Sequence, residues 1–315
     1  MKSEVFISVI APMYNEEGSI ATFINKTERV LRENFVNYEL LLVDDGSSDK
    51  TLTISKSYAD SNSHIRLLAF TRNYGHEIAL TAGIEYARGE YVVQMDSDLQ
   101  HPPEMIPLLV AKAISGYDVV YAARKNRKHD SWLKRLTSYL FYRVARRMTG
   151  LDLPSDAGNF RIINRKVVDS IKQLKENNRH LLMLYAYVGH SMAAIPYETD
   201  VRFAGKSKYN YIKLINLALD SIISFSHRPL RYMSMISVLI AVLMTCYAGF
   251  ILLQRLVYHQ QLAEGMASLL LVISGLFALL FLFLAVISEY IGRILVESKN
   301  RPLYYIREEY ERTPD

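Results

Sequence analysis

The chain has 315 residues, enough for one large domain or two modest ones. Its Lys and Arg exceed its Asp and Glu by 37 to 32, a net charge of +5 that suits nucleic acid or an anionic membrane surface; no zinc-finger, basic-zipper or RNA-recognition pattern accompanies it, so nucleic acid is set aside. The one cysteine, Cys246, excludes an internal disulfide and a multi-cysteine metal site.

From the N-terminus, a short β-branched run, Val5 to Ala11, ends at Pro12. The apolar part of this opening stretch is too short for a signal peptide, and Asn15, Glu16 and Glu17 follow at once, so the N-terminal region is expected in the cytosol. Further strands are predicted over Glu39–Val43, Ile65–Phe70, Tyr91–Met95 and Asp118–Ala122. Helical patterns fall between them, over Gly18–Glu33, Lys50–Ser61 and Glu77–Ala87. Strands alternating with helices predict an α/β domain with a mostly parallel sheet covered on both faces.

The last third carries the apolar excess that lifts mean hydropathy to +0.05. Asn210–Ser226 places Ile212, Ile215, Leu219, Ile222 and Ile223 at helical spacing, with Lys213 and Asp220 on the other face. This reads as an amphipathic helix that lies in the membrane interface or packs on the soluble domain. Pro229 breaks the chain after it. Two uncharged runs of 22 residues follow, Tyr232–Leu253 and Met266–Ile287. Each is long enough for a hydrocarbon core of about 30 Å. The second holds fifteen Leu, Ile, Val or Phe, so its insertion is favourable by up to about 5–9 kcal/mol. The alternative is a pair of buried core helices. Arg228 and Arg231 flank one end of the pair and Arg293, Lys299 and Arg301 the other, against Arg255 alone in the connecting loop. Positive charge therefore places both termini inside and the loop outside. The expected division is a catalytic domain over 1–209, an interfacial helix over 210–230, two spans within 231–297 and a cytoplasmic tail over 298–315.

In a parallel sheet, ligands sit beyond the carboxyl ends of the strands. Three polar clusters fall there: Pro12-Met13-Tyr14-Asn15-Glu16, Asp44-Asp45 and Asp96-Ser97-Asp98. Aspartates after strands are common turn formers, so the argument rests on three clusters converging. Two carboxylates two residues apart, Asp96 and Asp98, suit a hard divalent cation such as Mg²⁺ or Mn²⁺, which prefers oxygen ligands and binds diphosphates. No Gly-x-x-x-x-Gly-Lys-Ser/Thr loop, no Gly-x-Gly-x-x-Gly after the first strand and no Gly-x-Ser-x-Gly elbow is present, which argues against P-loop ATPases, Rossmann dehydrogenases and α/β-hydrolases.

The segments Pro12–Glu17, Asp44–Asp49 and Asp96–Gln100 resemble the nucleotide-sugar site of family 2 glycosyltransferases of the GT-A fold. Thr71–Gly75, Phe160–Ile162, Arg202–Tyr209 and Glu289–Arg293 extend the resemblance to the polyprenyl-phosphate glycosyltransferases, nearest the bactoprenol glucosyltransferases and related to the dolichyl-phosphate mannose synthases. The resemblance implies that Pro12, Tyr14 and Glu16 line the base and ribose, with Asp44 and Asp45 beside them. It implies that Asp96 and Asp98 manage the metal and diphosphate and that Gln100 lies near the sugar. On the acceptor side it points to Arg124, to Lys134 with Ser138 four residues later, and to Arg135 beside them. The basic cluster Arg202, Lys206, Ser207 and Lys208 reads as phosphate donors at headgroup depth, with a solvated loop as the alternative. Asp156 would face the reaction centre, to orient the acceptor or act as a base. The implied reaction moves one sugar, glucose from UDP-glucose first among the donors, to a polyprenyl phosphate with inversion. UDP-N-acetylglucosamine, UDP-aminoarabinose and GDP-mannose stay open as donors. A homo-oligomer, with a tetramer among the expected states, is also implied. A processive polysaccharide synthase would carry Gln-x-x-Arg-Trp, but Trp132 follows His129-Asp130-Ser131. A non-enzymatic membrane adaptor would have lost acidic residues that are all present here.

Overall fold

The computed structural model describes residues 2–124, 143–152, 157–197, 226, 228–258 and 265–312. They divide into two compact units: Met1–Arg146 with Leu151–Leu214 and Arg301–Asp315, and Arg147–Gly150 with Ile215–Asn300.

The first unit is built on one mixed sheet. Strand β1 (Ile7–Met13) is buried along its whole length, as are β2 (Tyr38–Asp44) and β3 (Ile65–Phe70). Near-continuous apolar strands of this kind are stable only with both faces covered. Helices α1 (Ile20–Asn34), α2 (Thr51–Ser61) and α3 (His76–Tyr86) connect the strands that follow one another in this half. The inward stripe of α1 is Phe23, Ile24, Thr27, Val30 and Leu31, the spacing of an amphipathic helix. β4 (Tyr91–Gln94), α4 (Ile106–Ile114) and β5 (Val119–Arg124) follow, then β6 (Ala157–Asn164), α5 (Arg165–Gln173), α6 (Leu181–Val188) and β7 (Met192–Tyr197). Among the described residues the sheet has eight strands, in the order β7-β5-β6-β4-β1-β2-β3-β8. β1 pairs in parallel with both β2 and β4. The chain thus winds one way from β1 through β2 to β3, then crosses back to β4. That reversal is a topological switch point, where a doubly wound sheet opens a crevice at its carboxyl edge.

The five expected strands and three expected helices are present, with ends shifted by up to two residues. The tail expected over 298–315 is corrected. Ile306–Tyr310 forms β8, antiparallel to β3, with Leu67 opposite Tyr310. Charge directs this docking. Arg66 on β3 is 5% exposed and donates to Glu39 Oε2 at 2.8 Å and Glu309 Oε1 at 3.3 Å. Arg88 pairs with Glu311, and Lys56 meets Glu308 at 2.6 Å. Glu39, itself buried, is further held by Ser8 Oγ at 2.5 Å and the Arg88 N–H at 2.7 Å. A sequence scan for apolar alternation passes over IREEY, because its partners are charges on β3, on α2 and in the loop after α3.

In the second unit, α7 (Arg228–Tyr258) and α8 (Met266–Ser298) contain the two expected apolar runs. Arg228–Tyr247 and Gly275–Ser298 are long and apolar enough to cross a membrane. Their large apolar side chains face outward, Val238 at 62% and Phe281 at 65% exposure. Buried core helices, the alternative reading, would hide those residues. Tyr290 Oη donates to Ser226 O at 2.8 Å, and Ser226 Oγ to Met148 O. These bonds tie α8 and the 147–150 segment to the entry of α7.

Candidate active site

A cleft of about 470 Å³ opens at the carboxyl ends of the strands, within the range that accommodates a small-molecule ligand. Pro12, Met13, Tyr14 and Glu16 enter it from the end of β1, Asp45 from β2, and Asn73, Gly75 and His76 from β3 and the start of α3. Asp96, Ser97, Asp98 and Gln100 enter after β4, and Asn159 from β6. Seven residues expected at the site (Pro12, Tyr14, Glu16, Asp45, Asp96, Asp98 and Gln100) therefore share one cavity.

The loops that present them are tightly held. Gly46 turns the chain after β2 at φ +71°, and a Cβ there would come within 2.4 Å of the Arg72 backbone, so only glycine lets the two loops approach this closely. Asp45 is buried and accepts from the Tyr74 N–H at 2.6 Å and the Gly75 N–H at 2.9 Å. It thereby fixes the chain where α3 begins. Ser97 Oγ donates to Pro12 O at 2.9 Å, which joins the ends of β1 and β4. The Asp96 N–H donates to His101 Nδ1 at 3.3 Å, and that buried ring stacks on Phe160. Asp98 accepts from the Gln100 N–H at 3.1 Å and from Gln100 Nε2 at 2.7 Å.

Strain is concentrated here. Among the described residues only Asn15, Leu99 and Asn300 adopt positive φ without being glycine. Two of the three, Asn15 at 55° and Leu99 at 62°, flank the cleft. Such conformations cost of order 1–3 kcal/mol and persist where the surroundings over-determine them. Asn15 is held by its side-chain oxygen, which accepts the Ser48 N–H at 2.8 Å. Leu99 packs against the core and separates Asp98 from Gln100.

Burial pushes the carboxyls of Asp44 and Asp45 above the ordinary Asp range, with hydrogen bonds opposing the shift in each case. Asp44 departs from its expected place at the donor. It is 1% exposed and lies outside the cleft lining. Its carboxylate accepts the Ser47 N–H at 3.2 Å, a turn contact that follows from its position as the last residue of β2. Arg124 ends β5, its backbone opposite Tyr197. Lys134, Arg135, Ser138, Asp156, Arg202, Lys206, Ser207 and Lys208 lie outside the described residues.

The cleft also contains residues that were not foreseen as site residues. Asn73 and Gly75 sit in the Thr71–Gly75 segment, whose resemblance was a usable signal. His76 and Asn159 carried no motif of their own. His76 Nε2 lies 3.0 Å from Asn159 Nδ2 and 3.3 Å from Asp96 Oδ1.

Among the described residues no three His, Cys, Asp or Glu side chains gather closely enough to hold a metal alone. The donor set nevertheless suits Mg²⁺ or Mn²⁺. Asp96 Oδ1 is buried and makes no hydrogen bond, and Asp98 and Gln100 add further oxygen donors to the same cavity. Ions of this type are commonly held by one or two carboxylates plus the phosphates of a substrate.

Comparison with known proteins agrees with this geometry. Residues 8–172 match the family described as "Glycosyl transferase family 2". The chain is 42% identical to an uncharacterized glycosyltransferase of Synechocystis sp. over 95% of this chain and 94% of that protein. It is 38% identical to the bactoprenol glucosyl transferase of Shigella phage SfV over 97% of this chain and 99% of that one. Among solved structures, one titled "Crystal Structure of a Mycobacterial Protein" superposes with a TM-score of 0.52 at 20% identity, covering 70% of this chain and 73% of that chain, and shares the fold. The chain belongs to glycosyl transferase family 2 and is a glycosyltransferase with a GT-A-like fold.

Proposed function

We propose that this enzyme transfers one sugar, glucose from UDP-glucose, to the phosphate of a polyprenyl lipid at the cytoplasmic face of a membrane. The observation that carries the reading is the strand-end cleft, lined by Asp96, Asp98 and Gln100 after β4 and by Pro12, Tyr14 and Glu16 from the end of β1. Its support from outside the chain is the full-length similarity to the bactoprenol glucosyl transferase of Shigella phage SfV.

Tyr14 is half exposed at the cleft rim and offers a ring face to a nucleobase. Glu16, its carboxylate held by Ser19 Oγ at 2.7 Å, accepts ribose hydroxyls. Asp96 and Asp98 would hold a divalent cation, which when bound would neutralise the diphosphate as a leaving group. Asp98 orients Gln100 through two hydrogen bonds, and Gln100 reaches the sugar. An oxygen of the lipid phosphate attacks the anomeric carbon as the bond from that carbon to the UDP oxygen breaks, so configuration inverts and UDP leaves with the electron pair. The attacking phosphate is largely ionised at neutral pH, so Asp156 orients the acceptor more than it removes a proton. Arg124, Lys134, Arg135, Ser138 and the cluster Arg202, Lys206, Ser207 and Lys208 supply the phosphate donors. With α7 and α8 as spans, both termini lie in the cytoplasm, and the enzyme works as a homo-oligomer. Incubation of the purified protein with labelled nucleotide sugars, Mn²⁺ and polyprenyl phosphate tests the reading. A lipid-linked monosaccharide is expected from UDP-glucose; a long polymer or no lipid product would refute it.

A further inference from the structure

We propose that His76 is a protein ligand of the divalent cation, completing with Asp96 a mixed nitrogen–oxygen site that closes only when a donor diphosphate is bound. The inference rests on the donor-site reading above and extends it to a residue outside the Asp96-Ser97-Asp98 motif.

Three observations converge on it. First, the imidazole sits in the cleft at the start of α3, where Asp45 holds the preceding backbone through Tyr74 and Gly75. Its position is therefore built into the fold. Second, the other neighbour of Nε2 is the amide nitrogen of Asn159 at 3.0 Å, a donor that does not compete for a cation and matches the neutral Nδ1–H tautomer, in which Nε2 is the ligating atom. Third, Asp96 Oδ1 is buried without a hydrogen bond although Nε2 is only 3.3 Å away. A carboxylate oxygen and an imidazole nitrogen this close converge on one point of the cleft, as two ligands of a shared cation do.

The spacing fits such a bridge. Adjacent ligands of an octahedral ion with bonds of about 2.1 Å are separated by about 3.0 Å, and the observed 3.3 Å is within a few tenths of that. On cation entry the Asn159 N–H gives up Nε2 to the metal and becomes available to a phosphate oxygen. The described residues offer no three-residue His/Cys/Asp/Glu cage, so phosphate oxygens and water complete the coordination.

An imidazole ligand has a chemical consequence. Nitrogen donors favour first-row transition ions, whereas oxygen-only sites suit Mg²⁺ equally well. His76 thus biases the site toward Mn²⁺ over Mg²⁺.

The test is electron spin-echo modulation on the full-length protein with Mn²⁺ and UDP, in parent and His76→Gln. Directly bonded imidazole nitrogen is expected to modulate the Mn²⁺ echo in the parent, and the signal should vanish in His76→Gln. Titration should show Mn²⁺ affinity falling at least about tenfold in the variant, with Mg²⁺ affinity reduced less. Mn²⁺ bound in the parent without nitrogen modulation, or modulation that persists in His76→Gln, overturns the role of His76 and leaves the donor-site reading standing. Failure of the parent to bind Mn²⁺ with UDP overturns both. Circular dichroism of the variant confirms that it is folded.

Discussion

Asp45 is where the fold and the proposed donor site meet, and its replacement gives a graded prediction. The carboxylate is buried and accepts two backbone N–H groups, from Tyr74 at 2.6 Å and Gly75 at 2.9 Å. In Asp45→Asn one oxygen survives as an acceptor. The other becomes an amide nitrogen that faces an N–H. One charge-assisted hydrogen bond is lost, worth about 1.5–3 kcal/mol. Those two N–H groups precede His76 and fix the stretch that carries Asn73 and Gly75, all three lining the cleft. A donor that needs this wall ordered binds more weakly in proportion to the ordered fraction. The upper bound on the loss is therefore about 10- to 150-fold in affinity, at 1.4 kcal/mol per factor of ten. Isothermal titration of UDP with Mn²⁺ into parent and variant measures it. Affinity within twofold of the parent, in a variant with unchanged circular dichroism, would refute the claim that Asp45 organises the donor wall.

Burial raises the Asp44 and Asp45 carboxyls above their unfolded values, so the folded state binds their protons more firmly. Their contribution to stability is present below the unfolded carboxylate pKa and is lost as pH rises through the folded value. Denaturation at stepped pH should show the parent losing stability relative to a D44N/D45N double variant as pH rises above the unfolded carboxylate value of about 4; a gap that does not change with pH contradicts this. Arg66→Met removes the cation beside buried Glu39 and releases β8. It should destabilise the soluble unit by about 3–5 kcal/mol, seen as a lower melting temperature and faster proteolysis, and an unchanged melting temperature would count against the charge-directed docking of β8. Leu282, at 60% exposure on α8, tests the membrane reading. Leu282→Arg adds about 3 kcal/mol to insertion at the centre of a span and should shift protein out of the membrane fraction, while full retention would argue against α8 as a span.

The sheet's first half was legible because each strand there is an apolar run that ends in a recognisable polar cluster. β1, β2 and β4 end at Met13, Asp44 and Gln94, each within two residues of its polar cluster, and the fold brings those ends together. The rest was hidden for separate reasons. β6 and β7 carry polar or exposed positions such as Asn159 and Arg161 on β6 and Pro196 on β7, without strict alternation. β8 is recognised through Arg66, Arg88 and Lys56, which no local window contains. Asp44 and Asp45 are equivalent by motif, yet Asp44 is buried, accepts the Ser47 N–H and lies outside the cleft lining. His76 and Asn159 are separated by 83 positions and become a pair only once α3 and β6 are placed.

Sugar transfer to a lipid phosphate in the Asp96–Asp98 cleft can be followed directly. The most direct measurement presents parent, Asp96→Asn and Asp98→Asn with UDP-glucose, Mn²⁺ and polyprenyl phosphate and follows the lipid-linked product. A lipid-linked monosaccharide of inverted configuration is expected from the parent, with a loss of at least about 100-fold in either variant, on the scale of a removed electrostatic contact to the transition state. Full transfer by either variant, or a parent that hydrolyses UDP-glucose without charging the lipid, would contradict this reading.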